Sequence, residues 1–303
     1  MIKKVLFIGY GTISEGIIRN IKNKTEIEVV VYSKKKIHIQ QDIIISSDLN
    51  KLLKKKIDII ISCVPNDEIS FKIWHNPIIK SYISAYNIYC IEMSTLSYKY
   101  ILNWHAYIKE IGGKAAEIPF TGSKKGSEEG TLSLFISSNY YKELKSFLKI
   151  FSKNIYVFAD KGEAIKFKLI YNLWGACYLY VFAVFYHIIN NIFPNNEMIW
   201  KIFSNDGWMA PVCTSIFSRV KNKNYENVNF KLKYMAKDLE YAKKILNKNQ
   251  DDMLELIFKF FKNNTSSQNE NLDFSVISES YGKKENEFKQ NHKQKKQKPI
   301  QME

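Results

Sequence analysis

The run from Leu169 to Phe193 contains no Asp, Glu, Lys or Arg. As a helix, a stretch of this length is long enough to span a bilayer or to run the length of a domain. Asn172, His187, Asn190 and Asn191 interrupt it, and a single span would sit oddly in mid-chain, so it reads as the buried central helix of a globular domain. Lys168 stands immediately before the run, where charge gives way to core, and Asn172 follows four residues later. Residues four apart share a helix face, so an ammonium and a carboxamide would project into one space. An ammonium pressed against apolar surface has its charged form disfavoured, which brings its pKa towards the range used in proton transfer. A snorkelling lysine beside an unrelated asparagine gives the same pattern, so the choice depends on the rest of the chain.

With 303 residues, 46% of them hydrophobic, the chain can bury the core of one large or two ordinary domains. Cys63, Cys90, Cys177 and Cys213 lie far apart, with no CxxC or metal-ligand spacing. They read as free thiols in a reducing compartment, with no metal site. An apolar strand pattern begins at Ile2, and no targeting segment precedes it, so a cytoplasmic location is expected. The formal charge of +15 raises nucleic acid as a partner, but the only arginines are Arg19 and Arg219. A basicity made of lysine, amid abundant Asn and Ile, reads as codon bias rather than as selection for guanidinium forks on phosphate.

Lys3–Gly16 reads KKVLFIGYGTISEG, an apolar strand from Val5 to Ile8, then Gly9-Tyr10-Gly11, then a helix starting at Thr12 and Ile13. Strand, glycine turn and helix in this order bring backbone N–H groups and a helix N-terminus against a pyrophosphate. The third glycine of GxGxxG is replaced by Ser14, small enough for helix and strand to approach closely. The second strand, Ile27–Tyr32, ends in Ser33-Lys34-Lys35-Lys36 without a carboxylate for a ribose hydroxyl. A hydroxyl with lysines suits the 2′-phosphate of NADP, with NAD as the alternative and a plain solvated turn as the simpler explanation. A further strand, Ile57–Val64, leads into Pro65 and Asn66, and strand C-termini in such sheets border the ligand, so Val64, Pro65 and Asn66 are expected at the cofactor. Two more strands, Tyr89–Met93 and Lys114–Ile118, exit into Ser94-Thr95 and into Thr121-Gly122-Ser123. Small hydroxyl residues and backbone amides there can grip a carboxylate without adding bulk, although Ser, Thr and Gly also build ordinary turns.

Taken together these segments resemble the β-hydroxyacid dehydrogenases, over roughly residues 2–281 and in that family's order. Gly9–Ser14 stands for GxGxMG, and Glu92-Met93-Ser94-Thr95 for DxST with Glu in place of Asp. Pro119–Leu132, PFTGSKKGSEEGTL, is similar to PVSGGxxGAxxGTL and is the most specific single match. Gly162–Asn172, GEAIKFKLIYN, corresponds to GxGxxxKxxNN, with Ala164 and Tyr171 as departures. Lys237-Asp238-Leu239 follows as KDL, and Asp273-Phe274-Ser275-Val276 resembles a closing D-x-SAV.

The resemblance implies an α/β Rossmann-like dinucleotide-binding domain over 1–160 and an all-α domain over 161–281, entered through one long helix. The Lys- and Gln-rich stretch 282–303 is expected to be a disordered basic tail. It also implies an NAD(P)-dependent oxidoreductase that moves a hydride between NADP(H) and a small 3-hydroxy acid or carboxylate-bearing aldehyde. On this reading Lys168 is the general acid and base and Asn172 its partner. Thr95 and Lys237 border the cofactor, and Ser94, Thr121, Gly122, Ser123 and Asp238 hold the substrate. The substitutions at Thr121 and Ser123 fall in that pocket and point to an unusual substrate. The alternatives are an imine or other carbonyl reductase on the same scaffold, and a non-catalytic NADP-binding regulatory protein. The spacing of Trp174, Tyr178, Phe182 and Phe185 on the long helix calls for a second subunit, a homodimer or homotetramer, with neither nucleic acid nor membrane as partner.

Overall fold

The computed structural model describes residues 2–34, 43–54, 56–208, 210–246 and 252–281. Lys35, Lys36 and the basic stretch 282–303 lie outside the described residues. The chain divides into two compact units, Met1–Tyr171 with Tyr241–Leu246, and Asn172–Glu240 with the chain after Leu246.

The first unit is built on one sheet of nine strands: β1 (Lys4–Ile8), β2 (Glu28–Tyr32), β3 (Ile44–Ser46), β4 (Ile59–Ser62), β5 (Tyr89–Glu92), β6 (Lys114–Glu117), β7 (Phe120–Thr121), β8 (Leu132–Ser137) and β9 (Ser152–Phe158). The order β3-β2-β1-β4-β5-β6 is parallel throughout, β8 runs antiparallel to β6 and β7, and β9 pairs in parallel with β8. The strands expected from the sequence are all present, with Ile57–Val64 reduced to β4, while β3, β7, β8 and β9 are additional.

The runs Val5–Ile8 of β1, Ile59–Ile61 of β4 and Cys90–Ile91 of β5 are apolar without alternation because both faces of the sheet are covered. Val5, Phe7, Ile59 and Ile61 face one side, packed with Ile17, Ile18 and Ile21 of α1 (Thr12–Lys24) and with Leu144, Phe147 and Leu148 of α7 (Tyr141–Leu148). Leu6, Ile8 and Ile60 face the other, under α2 (Leu49–Leu52), α3 (Asp67–Trp74), α4 (Pro77–Tyr86) and α5 (Tyr98–Glu110), whose Trp74, Ile83 and Trp104 fill that layer. One short helix, α6 (Ser123–Glu129), lies between β7 and β8.

Helix α8 (Glu163–Ile192) begins in the first unit and continues into the second, where α9 (Glu197–Asn205), α10 (Ala210–Lys221), α11 (Leu232–Lys243), α12 (Asp252–Asn264) and a 3₁₀ turn (Phe274–Ser280) follow. After β9 the regular elements of the described residues are helices, apart from one isolated bridge, Lys231 to Asp273. The second unit closes on Trp200, whose ring stacks on Phe217 at 4.5 Å and packs with Phe182 and Tyr186. Asp273 of the DFSV segment is fully buried and ties that region together, accepting from the N–H of Asn229 at 2.8 Å and from the Ser275 hydroxyl at 2.6 Å.

The long helix is not the wholly buried element that its composition predicts. Leu173, Ala176, Leu179, Ala183 and Ile189 are buried, whereas Trp174 is 61% exposed and Tyr178, Val181, Phe185, Ile188 and Ile192 are exposed with it. Spacings of three and four place these six on one stripe, so the charge-free run serves two apolar faces. Among the described residues α8 is the one helix long and apolar enough, by length and composition, to cross a membrane.

Candidate active site

The turn from β1 to α1 is shaped by Gly9, at φ +97°, where a Cβ would stand 2.4 Å from the carbonyl oxygen of Cys63 on the neighbouring strand's exit. Only a residue without a side chain fits that approach. Gly11 differs: it sits at the N-terminus of α1 in extended backbone, no side chain caps the helix, and a Cβ there would meet open space. Uncapped first-turn N–H groups beside an open cradle suit a pyrophosphate. Tyr10, Thr12 and Ile13 complete the turn. Ser14 is buried, and its hydroxyl has no hydrogen-bond partner among the described residues.

A second close approach, of helix on helix, is carried by Gly16, a position the motif does not mark. Its Cβ would fall 2.6 Å from the Ser127 backbone on α6. The Asn20 amide secures the contact by donating to the carbonyls of Gly16 and Ser127, both at 2.9 Å. The PFTGSKKGSEEGTL segment therefore docks α6 on α1, whatever else it does.

At the end of β2, the N–H of Ser33 is bonded to Ser46 at 3.1 Å, and Lys34 follows it. At the end of β4, the Asn66 side chain caps α3 by accepting from Ile69 N–H at 3.0 Å, and Val64 N–H donates to the Ser94 hydroxyl oxygen at 2.7 Å. Ser94 is buried, and its hydroxyl also bears on the carboxyl of Glu92. Ser94 thus ties β4 to β5, with its hydroxyl already engaged. Glu92 is fully buried and accepts from Ser70 Oγ at 2.6 Å, Trp74 Nε1 at 2.8 Å and Ser94 N–H at 3.0 Å. Burial pushes its carboxyl above the usual range against the opposing pull of those donors. Thr95 is half-buried directly after Ser94.

Beyond β6, Thr121 is half-buried on β7, and Gly122 (φ +131°) and Ser123 are exposed at the start of α6. Ser123 holds φ +58°, a left-handed conformation that a non-glycine residue adopts at a cost. Glycine occupies this place in the pattern the segment resembles. Ser123→Gly is therefore expected to stabilise the protein by about 0.5–1 kcal/mol, the strain relieved less the extra chain entropy. A thermal melt checks this, and a lower midpoint would show that the serine hydroxyl outweighs the strain.

Lys168 lies on the second turn of α8, only 8% exposed, its ammonium 5.4 Å from the Tyr171 ring centroid. Asn172 is one helical turn further on and also buried. In the second unit its amide donates to Asp238 Oδ2 at 2.6 Å, and Asp238 Oδ1 lies 3.0 Å from Lys237 Nζ, a charge contact rather than an aligned hydrogen bond. Asp238 therefore holds Asn172 and Lys237 together on α11 and the long helix. Two buried residues here had no reading from sequence: Glu117 and His105, 2.7 Å apart. Their strongest signal was the carboxylate that follows Ala115 and Ala116 at the end of β6.

The family of the NAD-binding domain of 6-phosphogluconate dehydrogenase matches residues 4–159. No curated protein sequence matches the chain. Among solved structures, the chain is similar to Psf3 in complex with NADP+ and 2-OPP, at 19% identity and TM-score 0.80 over 91% of this chain and 99% of that one. It is similar to the 3-hydroxyisobutyrate dehydrogenase of Salmonella typhimurium at 13% identity and TM-score 0.75, covering 92% and 100%. The Mycobacterium tuberculosis 3-hydroxyisobutyrate dehydrogenase with L-serine gives 14% and 0.73, covering 92% and 99%. These are likenesses of fold. With the glycine turn, the parallel sheet and the matched domain in place, the chain belongs to the family of the NAD-binding domain of 6-phosphogluconate dehydrogenase.

Proposed function

We propose that the protein reversibly reduces a small carboxylate-bearing aldehyde or ketone to its hydroxy acid, with NADP(H) as the preferred cofactor and Lys168 as general acid and base. The observation that carries this reading is a buried lysine at the start of α8, in a chain whose first unit is a dinucleotide-binding domain. The bound nicotinamide supplies the hydride. In reduction the Lys168 ammonium gives a proton to the carbonyl oxygen, and in oxidation the amine takes the hydroxyl proton. Asn172, its Nδ2 taken up by Asp238, presents Oδ1 as the acceptor that orients the substrate hydroxyl. Thr121, Gly122 and Ser123 grip the carboxylate through hydroxyls and N–H groups. The uncapped start of α1 at Gly11 receives the pyrophosphate, with Lys237 and Thr95 beside the cofactor. Ser33 and Lys34 favour the 2′-phosphate by charge and hydrogen bonding. Fold relatives with the names 3-hydroxyisobutyrate dehydrogenase support the substrate class.

The test is oxidation of NADPH by the purified protein with tartronate, methylmalonate and succinate semialdehydes and glyoxylate, and NADH in parallel. Turnover with at least one substrate, faster with NADPH, is the expected result. Tight NADPH binding with no reduction of any of them would overturn the substrate class, and equal use of NADH would overturn the cofactor preference.

The exposed stripe from Trp174 to Ile192 covers about 27 Å of helix at 1.5 Å per residue, and we propose that a second copy of the chain covers it. Placing a carboxylate in the middle of such a face opposes burial on both subunits at once. Trp174→Glu with Phe185→Glu is expected to convert a dimer or tetramer to monomer in sedimentation velocity. A wild-type protein that sediments as a monomer would remove the proposal.

A further inference from the structure

The start of α8 is docked by a buried carboxylate that the reading above leaves without a part. Glu117, at the end of β6, is fully buried. Its Oε1 accepts from the N–H of Ile165 at 3.1 Å, and its Oε2 accepts from the N–H of Gly162 at 2.9 Å while facing His105 Nε2 at 2.7 Å. In the antiparallel pairing of β6 with β8, Glu117 stands opposite Ser137, and the Ser137 hydroxyl accepts from the N–H of Ala164 at 3.1 Å. First-turn N–H groups have no partner within their own helix. A cap normally comes from the residue just before the helix. Here three such groups end on side chains of the sheet, one of them 45 residues away. The contacts therefore fix the direction of α8 against the sheet and do more than terminate the helix.

Gly162 adds to the fit, since it holds φ +84° and a Cβ there would lie 2.5 Å from the Tyr98 ring. Lys168 follows Ile165 by three residues on the same rigid helix, so whatever fixes Ile165 fixes the Lys168 stem. A carboxylate is costly to bury unless its lone pairs are filled. Two backbone N–H groups and the His105 ring fill them here, which makes the position of the helix dependent on their geometry.

We propose that Glu117, braced by His105 and aided by Ser137, is the positioning residue that sets Lys168 for proton transfer. This rests on the assignment of Lys168 above. Displacement of a reacting group by about 1 Å can cost on the order of 10²-fold in rate. Glu117→Gln keeps the shape but replaces one acceptor with an NH₂ that opposes a helix N–H. It is expected to lower kcat roughly 10- to 100-fold, with KM and the NADPH dissociation constant changed less than about threefold.

The deciding experiment is a double-mutant cycle of Glu117→Gln with Lys168→Ala, read by kcat and by NADPH fluorescence titration. Because Glu117 acts through Lys168, Glu117→Gln is expected to cost less than about twofold once Lys168 is alanine. The same loss in both backgrounds would show a general structural effect and overturn the proposal. A Lys168→Ala enzyme with undiminished turnover would instead overturn the catalytic reading, and this inference with it, and that single arm tells the two failures apart. Should Glu117→Gln fail to fold, Ser137→Ala removes one contact of the three. It takes the same place in the cycle, with an expected loss of about 3- to 10-fold in the Lys168 background alone.

Discussion

Lys168→Ala is expected to lower turnover by about 10²–10⁴-fold, the usual size of general acid–base catalysis, while NADPH binds within about twofold of the wild-type affinity. The two readouts separate because Lys168 lies on α8, whereas the turn proposed to cradle the pyrophosphate is the β1–α1 turn at Gly9 and Gly11. The substitution removes a buried charge together with its aliphatic stem, so the lost packing and the relieved desolvation oppose each other and the melting midpoint should move little. Lys168→Arg is the informative companion. A guanidinium keeps the charge but does not release a proton near neutrality, so it should be about as inactive as alanine if proton transfer is the role. Activity in Lys168→Arg close to wild type would mean that the position supplies charge only.

Gly9→Ala should have the largest effect on stability. The residue sits at φ +97°, and the added methyl carbon would lie 2.4 Å from a backbone oxygen of Cys63, an atom that cannot swing away. Strain and overlap together should cost at least about 3 kcal/mol. That corresponds to a fall of at least about 5 °C in midpoint for a chain of 303 residues. Gly11→Ala is the control within the same turn. Its Cβ meets open space and its backbone is extended, so the apo protein should melt within about 1 °C of wild type. NADPH binding should nevertheless weaken at least about tenfold, because the methyl occupies the cradle. If Gly11→Ala binds NADPH normally, the pyrophosphate does not lie against this turn.

Much of the first unit was readable from local pattern. Apolar runs bounded by turn residues located β1, β2, β4, β5 and β6, and Gly9-Tyr10-Gly11 located the turn where φ turns positive. Of the four additional strands, β8 (LSLFIS) has a pattern as apolar as those read, and the other three carry weaker signals. Strands β3 and β7 are too short to show a period, and β9 has an irregular burial pattern in which Tyr156 and Val157 are both exposed. The motif's third position, Ser14, is buried, while a second tight approach that the motif does not mark is made by Gly16 two residues on, against a helix that follows more than a hundred residues later.

The site divides the same way. That Lys168 and Asn172 sit buried together on one helix was legible because a helix makes residues four apart neighbours, and a charge at the edge of an apolar run is conspicuous on its own. The engagement of Ser94 by Val64, the hold of Asp238 on Asn172 and the docking of α8 by Glu117 and Ser137 were not. Each joins groups far apart in the chain, and no period or spacing encodes which strand end a helix start will meet. The sequence by itself determined the local geometry: where the backbone must turn, which stretches are apolar, and which residue stands at the border between charge and core. Only the tertiary structure decided which buried polar groups satisfy one another. Their pairing is a property of the sheet order and register, and the cost of leaving any of them unpaired is what makes that arrangement specific.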